Sequence, residues 1–311
     1  MKRKWFSLTS FLAAILLLAG CEEGSVFDTN GPVAKIQADT ITISILVMLF
    51  VLVVVYGLFI FMVVKYRASK TSKDYVPPHM EGSKTLEIIW TLIPFLIVGY
   101  LSWVTVDTLN KVEKTPEGYE DQEPLVIYAS SSNWKWHFSY PDQDIETVNY
   151  VNIPTDRPVE FRLYSFGPIT SFWVPQLGGQ KYAMSDMVTK LHFVADNEAS
   201  MLGRNSNFSG EGYAHMEFEG LSMSDEEFDE WVNEVQENEP ELTEEEFDEL
   251  LDTAHVGRKS YSSTHLEFSP PPEGHNHDSS KTESNQSEDA DTIFDEPTED
   301  PDGGHSDHSD H

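Results

Sequence analysis

An uncharged apolar run of 24 residues, 41–64, constrains this chain more than any other feature of its sequence. As a helix it would be about 36 Å long, which exceeds the roughly 30 Å hydrocarbon core of a bilayer. A second apolar run, residues 88–106, contains Pro94, which neighbouring membrane helices can accommodate as a kink. The sequence therefore predicts a transmembrane two-helix hairpin over residues 41–107, followed by a further domain.

The segment between the two apolar runs is basic. It carries Lys65, Arg67, Lys70, Lys73 and Lys84. Because short loops rich in Lys and Arg remain in the cytoplasm, this loop is expected on the cytoplasmic side. Both ends of the hairpin, and the domain that follows it, are then expected on the outer face.

The amino terminus is typical of an exported lipoprotein. Lys2, Arg3 and Lys4 precede an apolar stretch, residues 8–18, which ends in Leu-Ala-Gly-Cys at Cys21. This ending resembles the bacterial lipobox, which predicts a signal peptide over residues 1–20, a lipid on Cys21 and a mature segment over 21–40. The alternative is an uncleaved anchor in which Cys21, the single cysteine of the chain, has no role.

Residues 108–222 are predicted to form an all-β domain. Trp136, Phe138 and Tyr140 continue an alternation that starts at Trp134 and would give a strand one aromatic face. Further runs with period two are predicted as strands at 147–153, 159–165, 172–177, 189–195 and 212–218. Short strands separated by Pro and Gly favour an antiparallel β-sandwich or Greek-key barrel.

Two motifs together resemble a known family. The helix motif Leu-Glu-Ile-Ile-Trp-Thr-Leu-Ile-Pro at 86–94, followed by Trp-Lys-Trp at 134–136, is similar to subunit II of the haem–copper terminal oxidases over residues 35–235. The resemblance implies a cupredoxin fold for the outer domain. It also implies that Glu87 corresponds to a glutamate at the start of a proton path into subunit I. Its alternative role is that of an interfacial acid stabilised by the helix dipole.

Copper-bearing members of that family bind a dinuclear copper centre through a His before Ser-Phe-x-x-Pro and a Cys-x3-Cys-x3-His-x2-Met run. In this sequence the corresponding positions hold Thr170, Asn207, Ser209, Glu211, His215 and Phe218, so only His215 retains the family residue. Because two bridging thiolates are essential to such a centre, no copper site is expected here. His215 is expected to be a strand residue with a satisfied imidazole; a mononuclear site with Glu211 or Glu217 is the alternative.

The same subunit without these ligands resembles the quinol oxidase branch, in particular the aa3-type menaquinol oxidases of Gram-positive bacteria. The resemblance implies a complex that oxidises membrane quinol, reduces oxygen to water and moves protons. Haems and copper are then expected in subunit I and no cofactor in this chain, with subunits III and IV as further partners and no role for cytochrome c. The alternatives are a cytochrome c oxidase subunit II that has lost its copper centre, and a stand-alone cupredoxin-like lipoprotein.

The carboxy-terminal third is acidic. Ser224 and Thr243 each open a capping box, which predicts a helical extension over residues 223–257 with Phe228, Trp231 and Phe247 on apolar stripes. Residues 258–311 are expected to form a mostly disordered, acidic, His-containing tail. The formal net charge of −33 excludes a nucleic acid partner, because such a field repels phosphate.

Overall fold

The structure, a computed structural model, describes residues 26–67 and 82–273. Cys21 and the signal peptide lie outside the described residues, as do residues 68–81 of the basic loop and the tail from residue 274. The predictions made for these segments remain predictions.

Two long apolar helices form the hairpin: α1, Pro32–Lys65, and α2, Lys84–Val112. Both are long and apolar enough to cross a membrane. Helix α1 starts before the predicted residue 41, because Pro32 in the first turn and a run of helix-compatible residues extend it. Helix α2 continues through Pro94 and is not broken there. The two helices contact one another near the ends that adjoin the β-domain, where the Thr40 and Thr108 hydroxyl oxygens lie 3.1 Å apart.

The hairpin joins the β-domain through a tight junction. Val33 and Ala34 at the start of α1 are buried, and Asn30 donates to the Asn197 carbonyl at 2.9 Å. Gly178 has a φ of +91°, and a Cβ placed on it would lie 2.8 Å from the Ala34 nitrogen. Only glycine combines this backbone conformation with so close an approach, so the junction depends on it.

The domain that follows the hairpin is a β-sandwich, as predicted. Its strands are β1 Leu125–Ser132, β2 Lys135–Tyr140, β3 Ile145–Val148, β4 Tyr150–Pro154, β5 Val159–Ser165, β6 Thr170–Val174, β7 Gly178–Ala183, β8 Thr189–Phe193, β9 Ala199–Asn205, β10 Glu217–Met223 and β11 Lys259–Tyr261. One sheet has the order β11-β3-β2-β1-β5-β8 and the other β4-β10-β9-β6-β7. The β1–β5 and β4–β10 pairs are parallel and the other pairs antiparallel, so the sandwich is mixed and not purely antiparallel.

Strand β2 supplies the centre of the core. Trp136, Phe138 and Tyr140 point inward and are fully buried, which confirms the predicted aromatic face. Trp134 differs from the prediction: it precedes the strand, with a φ of 63°. The opposite face of β2, which holds Lys135, His137 and Ser139, is also fully buried.

The carboxy-terminal segment covers that polar face. Helix α3, Asp225–Asn238, begins at the predicted capping box of Ser224 and packs Phe228 on the sandwich core. Helix α4, Glu244–Asp252, begins at Thr243 and buries Phe247 in a second apolar cluster. Together with β11 and a 3-10 turn at His265–Glu267, α4 forms what we call the strap, residues 240–268.

The first part of the predicted tail has defined structure. Residues 258–273 lie within the described chain, and β11 pairs with β3 to extend the first sheet. Tyr261 is buried in the second apolar cluster. Two large aromatic residues, Tyr261 and Phe268, therefore give this segment a hydrophobic contact that the acidic composition of residues 258–311 as a whole does not indicate.

Candidate functional site

The positions that correspond to the family's copper ligands lie at one end of the sandwich. Thr170 is the first residue of β6, Phe218 is the second residue of β10, and the others lie in the loop 206–216 between β9 and β10. The structure therefore brings these elements to the same end of one sheet, and the question is what their side chains do there.

Thr170 is part of a buried cluster of hydroxyl groups. Its Oγ1 lies 2.7 Å from Ser131 Oγ, which in turn donates to Ser165 Oγ at 3.0 Å. A cavity of about 80 Å³ adjoins these hydroxyls, with Ser209 and Met216 on its far side. Hydroxyl groups that bond one another are weak ligands for copper, so this corner has the character of a satisfied polar core.

Asn205 fixes the start of the loop. Its Oδ1 accepts from the backbone nitrogens of Ser171, at 2.8 Å, and Asn207, at 3.0 Å, while its Nδ2 donates to Ser209 Oγ at 2.9 Å. Asn207 then donates from Nδ2 to the Ile169 carbonyl at 2.8 Å. Amide hydrogen bonds thus hold the backbone at the positions where relatives have metal ligands.

Trp134 covers the loop. Its Nε1 donates to the Ser209 carbonyl at 3.2 Å, and a Cβ placed on Gly212 would lie 2.5 Å from its indole ring. On the other side the indole stacks on His255 of the strap, with ring centroids 5.6 Å apart. The tryptophan is therefore held between the loop and the strap.

His215 and Glu211 are not part of a closed site. His215 lies in a 3-10 turn, Tyr213–His215, and is exposed, so the prediction that it is a strand residue is wrong. The reason is local: Tyr213, His215 and Met216 donate their backbone nitrogens to Gly210, Gly212 and Tyr213, so these groups cannot pair with β9. Within residues 26–67 and 82–273, no group of three or more His, Cys, Asp or Glu side chains could hold a metal ion.

Phe218 belongs to the aromatic core. It is 2% exposed, stacks on Phe172 with ring centroids 5.2 Å apart, and contacts Phe138 at 5.0 Å. Gly203 on the neighbouring strand leaves the space for its ring, since a Cβ there would lie 2.0 Å from it. The position that carries a thioether ligand in copper-bearing relatives is thus occupied by a packing residue.

This set of side chains does not fit a dinuclear copper centre. Such a centre requires soft bridging thiolates, and the positions hold hydroxyls, amides, a carboxylate, a phenyl ring and one imidazole. The imidazole and the carboxylate are both exposed. The arrangement holds the loop in place by hydrogen bonding and packing.

A second buried cluster, which the sequence did not indicate, lies under the strap. Glu146 Oε2 accepts from Ser139 Oγ at 2.9 Å and from His265 Nδ1 at 2.6 Å, and Glu146 Oε1 lies 3.6 Å from His137 Nδ1. Tyr164 OH lies 2.6 Å from His265 Nε2. Burial alone would raise the pKa of Glu146, but the facing imidazoles of His265 and His137 hold it well below its usual range. Glu146 and His265 are 119 positions apart, so no spacing rule pairs them.

Glu87 lies in the first turn of α2, on the exposed surface of the helix. Its side chain borders a shallow apolar groove with Lys84, Thr91 and Phe95. In the part of the chain that the structure describes, its carboxylate forms no ion pair. An unpaired carboxylate at a helix N-terminus next to an apolar surface is available to a partner.

Comparison with known proteins gives a consistent result. Residues 28–106 match the family model described as cytochrome c oxidase subunit II, transmembrane domain. The chain is 44% identical over 274 residues to quinol oxidase subunit 2 of Bacillus cereus, covering 87% of this chain and 94% of the relative. It is 47% identical over 261 residues to quinol oxidase subunit 2 of Bacillus subtilis, covering 83% and 81%.

A more distant relative and a solved structure complete the comparison. The chain is 43% identical over 269 residues to the probable quinol oxidase subunit 2 of Staphylococcus epidermidis, covering 86% of this chain and 70% of the relative. The periplasmic domain of subunit II of cytochrome oxidase of Bradyrhizobium japonicum aligns with 36% of this chain and 94% of its own length, at 22% identity and a TM-score of 0.36.

Proposed function

This chain belongs to the quinol oxidase subunit 2 family and is a membrane-bound subunit II of a quinol oxidase; on that premise we propose that electrons from quinol reach oxygen without passing through it. The complex would oxidise a membrane quinol, with menaquinol as the expected substrate, reduce oxygen to water and move protons outward. Haems and copper would reside in subunit I. Subunit II would hold no redox centre of its own.

The observation that carries this proposal is the donor set at the end of the sandwich. Hydrogen bonds from Asn205, Asn207 and Trp134 hold the loop 206–216 in place, and Phe218 is packed into the core. A domain that receives electrons from a soluble cytochrome needs a metal centre near its surface. In this chain, the residues at the end of the sandwich provide packing in place of a metal centre.

Oxygen uptake by the purified complex tests the proposal. We expect uptake with a reduced naphthoquinol and none with reduced cytochrome c, and a copper content no greater than that of subunit I. Uptake with reduced cytochrome c alone, or additional copper in this subunit, would contradict it. Because both donors are given to the same preparation, an inactive enzyme is distinguished from a selective one.

We further propose that the chain's role is to clamp subunit I from both the membrane and the outer face. The hairpin helices expose apolar side chains along their described length, including Phe50, Phe59 and Trp90. Such surfaces require lipid or partner helices around them. Subunit I, and subunits III and IV with it, would supply those helices, so the chain should co-purify with a haem-bearing membrane subunit.

Two further residues complete the proposal. Cys21 would carry a lipid on the outer face, which agrees with the basic loop on the cytoplasmic side. Glu87, at the cytoplasmic end of α2, would take part in proton uptake into subunit I. The unpaired state of its carboxylate within the described chain supports this role, since a proton-accepting group must be accessible.

A further inference from the structure

The strap, residues 240–268, is held on the sheet by a buried apolar cluster, by the pairing of β11 with β3 and by a set of polar contacts. Three side chains of the sandwich donate to its backbone carbonyls: Asn133 to Asp252 at 2.7 Å, Lys135 to Thr253 at 2.7 Å and Asn149 to Val256 at 2.6 Å. The first two of these carbonyls lie at the carboxy-terminal end of α4. A cation and amide donors at that position stabilise the end of the helix.

The second attachment is ionic and completely buried. His265 of the strap donates its backbone nitrogen to Glu146 Oε2 at 3.1 Å, and its Nδ1 lies 2.6 Å from the same oxygen. Its ring stacks on Phe247 with centroids 4.3 Å apart. Because the Glu146 and His265 side chains have no exposed surface, neither can replace a lost partner with water while the strap is in place.

Each element that packs against this attachment carries titratable groups that face it. They are Lys135 and His137 on β2, Glu146 on β3, Tyr164 on β5, Asp252 at the end of α4, Tyr261 on β11 and His265 in the 3-10 turn. Burial raises the pKa of both Tyr164 and Tyr261, so neither ionises near neutral pH. The groups whose protonation changes the stability of the attachment at acidic pH are therefore His137 and Glu146.

We propose that the strap is an acid-releasable cover: proton uptake by His137 and Glu146, which face His265, detaches residues 253–268 and uncovers Trp134 and the loop 206–216. The geometry supports this because the same segment makes both attachments. His265 is bonded to Glu146, and His255, ten residues earlier, lies on Trp134. Loss of the buried attachment therefore weakens the support of the exposed stacking contact.

The direction of the effect follows from the charges. Burial lowers the pKa of His137 below its ordinary value, although Glu146 opposes the shift, and the pKa of Glu146 is lowered as described above. A group with a lowered pKa in the packed state contributes stability above its unfolded pKa and loses that stability as the pH falls. The loss begins below about pH 6.5 for His137 and below about pH 4.5 for Glu146.

Lys135 does not contribute to the change in this range. Burial lowers its pKa to about 8, opposed by Asp252, so it is charged in both states at lower pH. Its effect is to make the strap more stable as the pH rises from about 8 towards 10.5. The lowered pKa values of His137, Glu146 and Lys135 therefore all make the strap more stable as the pH rises.

Hydrogen exchange of the intact complex tests the proposal, with rates corrected for the intrinsic effect of pH. From about pH 6.5 down to about pH 5, protection of peptides from 253–268 and 206–216 should fall by up to about tenfold per pH unit, the limit for one additional proton bound in the open state. Peptides from β8, Thr189–Phe193, at the opposite edge of the sheet, serve as the internal control and should keep their protection. Protection of the strap that is constant over this range would overturn the proposal.

Two substitutions sharpen the test. Glu146→Gln should lower strap protection already at about pH 8, and His137→Gln should flatten the pH dependence below about pH 6.5. Asp248→Asn, an exposed acid on α4, is the matched control and should behave as the unmodified complex. If Glu146→Gln does not assemble, the pH series on the unmodified complex and on His137→Gln still decides the matter. Variants with an unchanged pH dependence would contradict the proposal.

Discussion

The indole of Trp134 lies almost parallel to the imidazole of His255, with ring centroids 5.6 Å apart and an interplanar angle of 15°. The contact joins the first turn before β2 to the strap, across more than a hundred residues of sequence. It also places an aromatic residue of the strap over the loop 206–216, because Trp134 bonds the Ser209 carbonyl. The packing around the loop 206–216 therefore depends on the carboxy-terminal segment.

His255→Asn should loosen the loop without straining the backbone. His255 has a φ of 53°, which Asn tolerates well, so the substitution removes the ring and leaves the turn. Loss of the stacked pair should cost about 1 kcal/mol and raise hydrogen exchange in residues 206–216. Glu211→Gln, at an exposed position of the same loop, is the control, and equal effects of the two variants would rule out a role for the stacking.

Phe218→Ala should destabilise the outer domain strongly. The ring is fully surrounded by Phe172, Phe138 and Trp136, and its removal leaves a cavity that costs about 3–5 kcal/mol. Phe208→Ala removes the same ring from a side chain that is 74% exposed and should have little effect. Thermal unfolding of the purified complex, monitored through a signal of the β-domain, compares the two variants. Similar unfolding temperatures for Phe218→Ala and Phe208→Ala would show that Phe218 does not support the core.

Gly178→Ala should separate the hairpin from the sandwich. A Cβ at this position would lie 2.8 Å from Ala34 N, and the φ of +91° adds strain of about 1 kcal/mol. Gly118→Ala provides a matched control, because its φ is +93° and nothing lies within 4 Å of the added Cβ. Protease cleavage of residues 28–34 in the complex should increase for Gly178→Ala alone. An equal increase for both variants would assign the effect to backbone strain and not to the junction.

The hairpin and the inward face of β2 could be predicted from the sequence because both depend on local patterns. A 24-residue apolar run and alternation at Trp136, Phe138 and Tyr140 have few structural alternatives. The helix starts at Ser224 and Thr243 follow from side chains that bond backbone nitrogens three residues away. These features depend on residues close together in sequence.

The second face of β2 could not be predicted in the same way. Alternation alone gives no sign that Lys135, His137 and Ser139 are buried, yet the strap covers them and supplies hydrogen-bond partners from more than a hundred residues later. Alternation of apolar and polar residues around His215 predicts a strand there. The three backbone bonds of a local turn determine its position, and alternation does not reveal them.

Cys21→Ala should abolish lipid attachment and slow signal-peptide removal. The proposed modification needs the thiol of Cys21, and Cys21 is the only cysteine in the chain. Mass spectrometry of the amino-terminal peptide should show an acylated cysteine in the unmodified complex and a longer, unacylated terminus in the variant. Ser25→Ala, four residues later, is the control. An unmodified chain that begins at Met1 would instead support the uncleaved anchor.

Glu87→Gln tests the proposed role in proton uptake. The amide keeps the size of the side chain and its favourable position at the start of α2 but cannot take up a proton, so turnover with quinol should fall several-fold. Because quinol binding does not involve this group in the proposal, KM should remain unchanged while kcat falls. Oxygen uptake at varied quinol concentration separates the two constants.

A structural role for Glu87 predicts a different pattern. If the carboxylate only stabilises the helix N-terminus, Glu87→Gln should cost about 0.5 kcal/mol and leave kcat unaffected, because the helix dipole acts on stability alone. Asp107→Asn provides the comparison at the opposite end of α2, where the carboxylate pairs with Lys111 at 2.7 Å. That ion pair is half-exposed and worth little, so its loss should leave both stability and turnover nearly unchanged. A fall in kcat confined to Glu87→Gln, and restored by Glu87→Asp, therefore identifies a group that takes up protons.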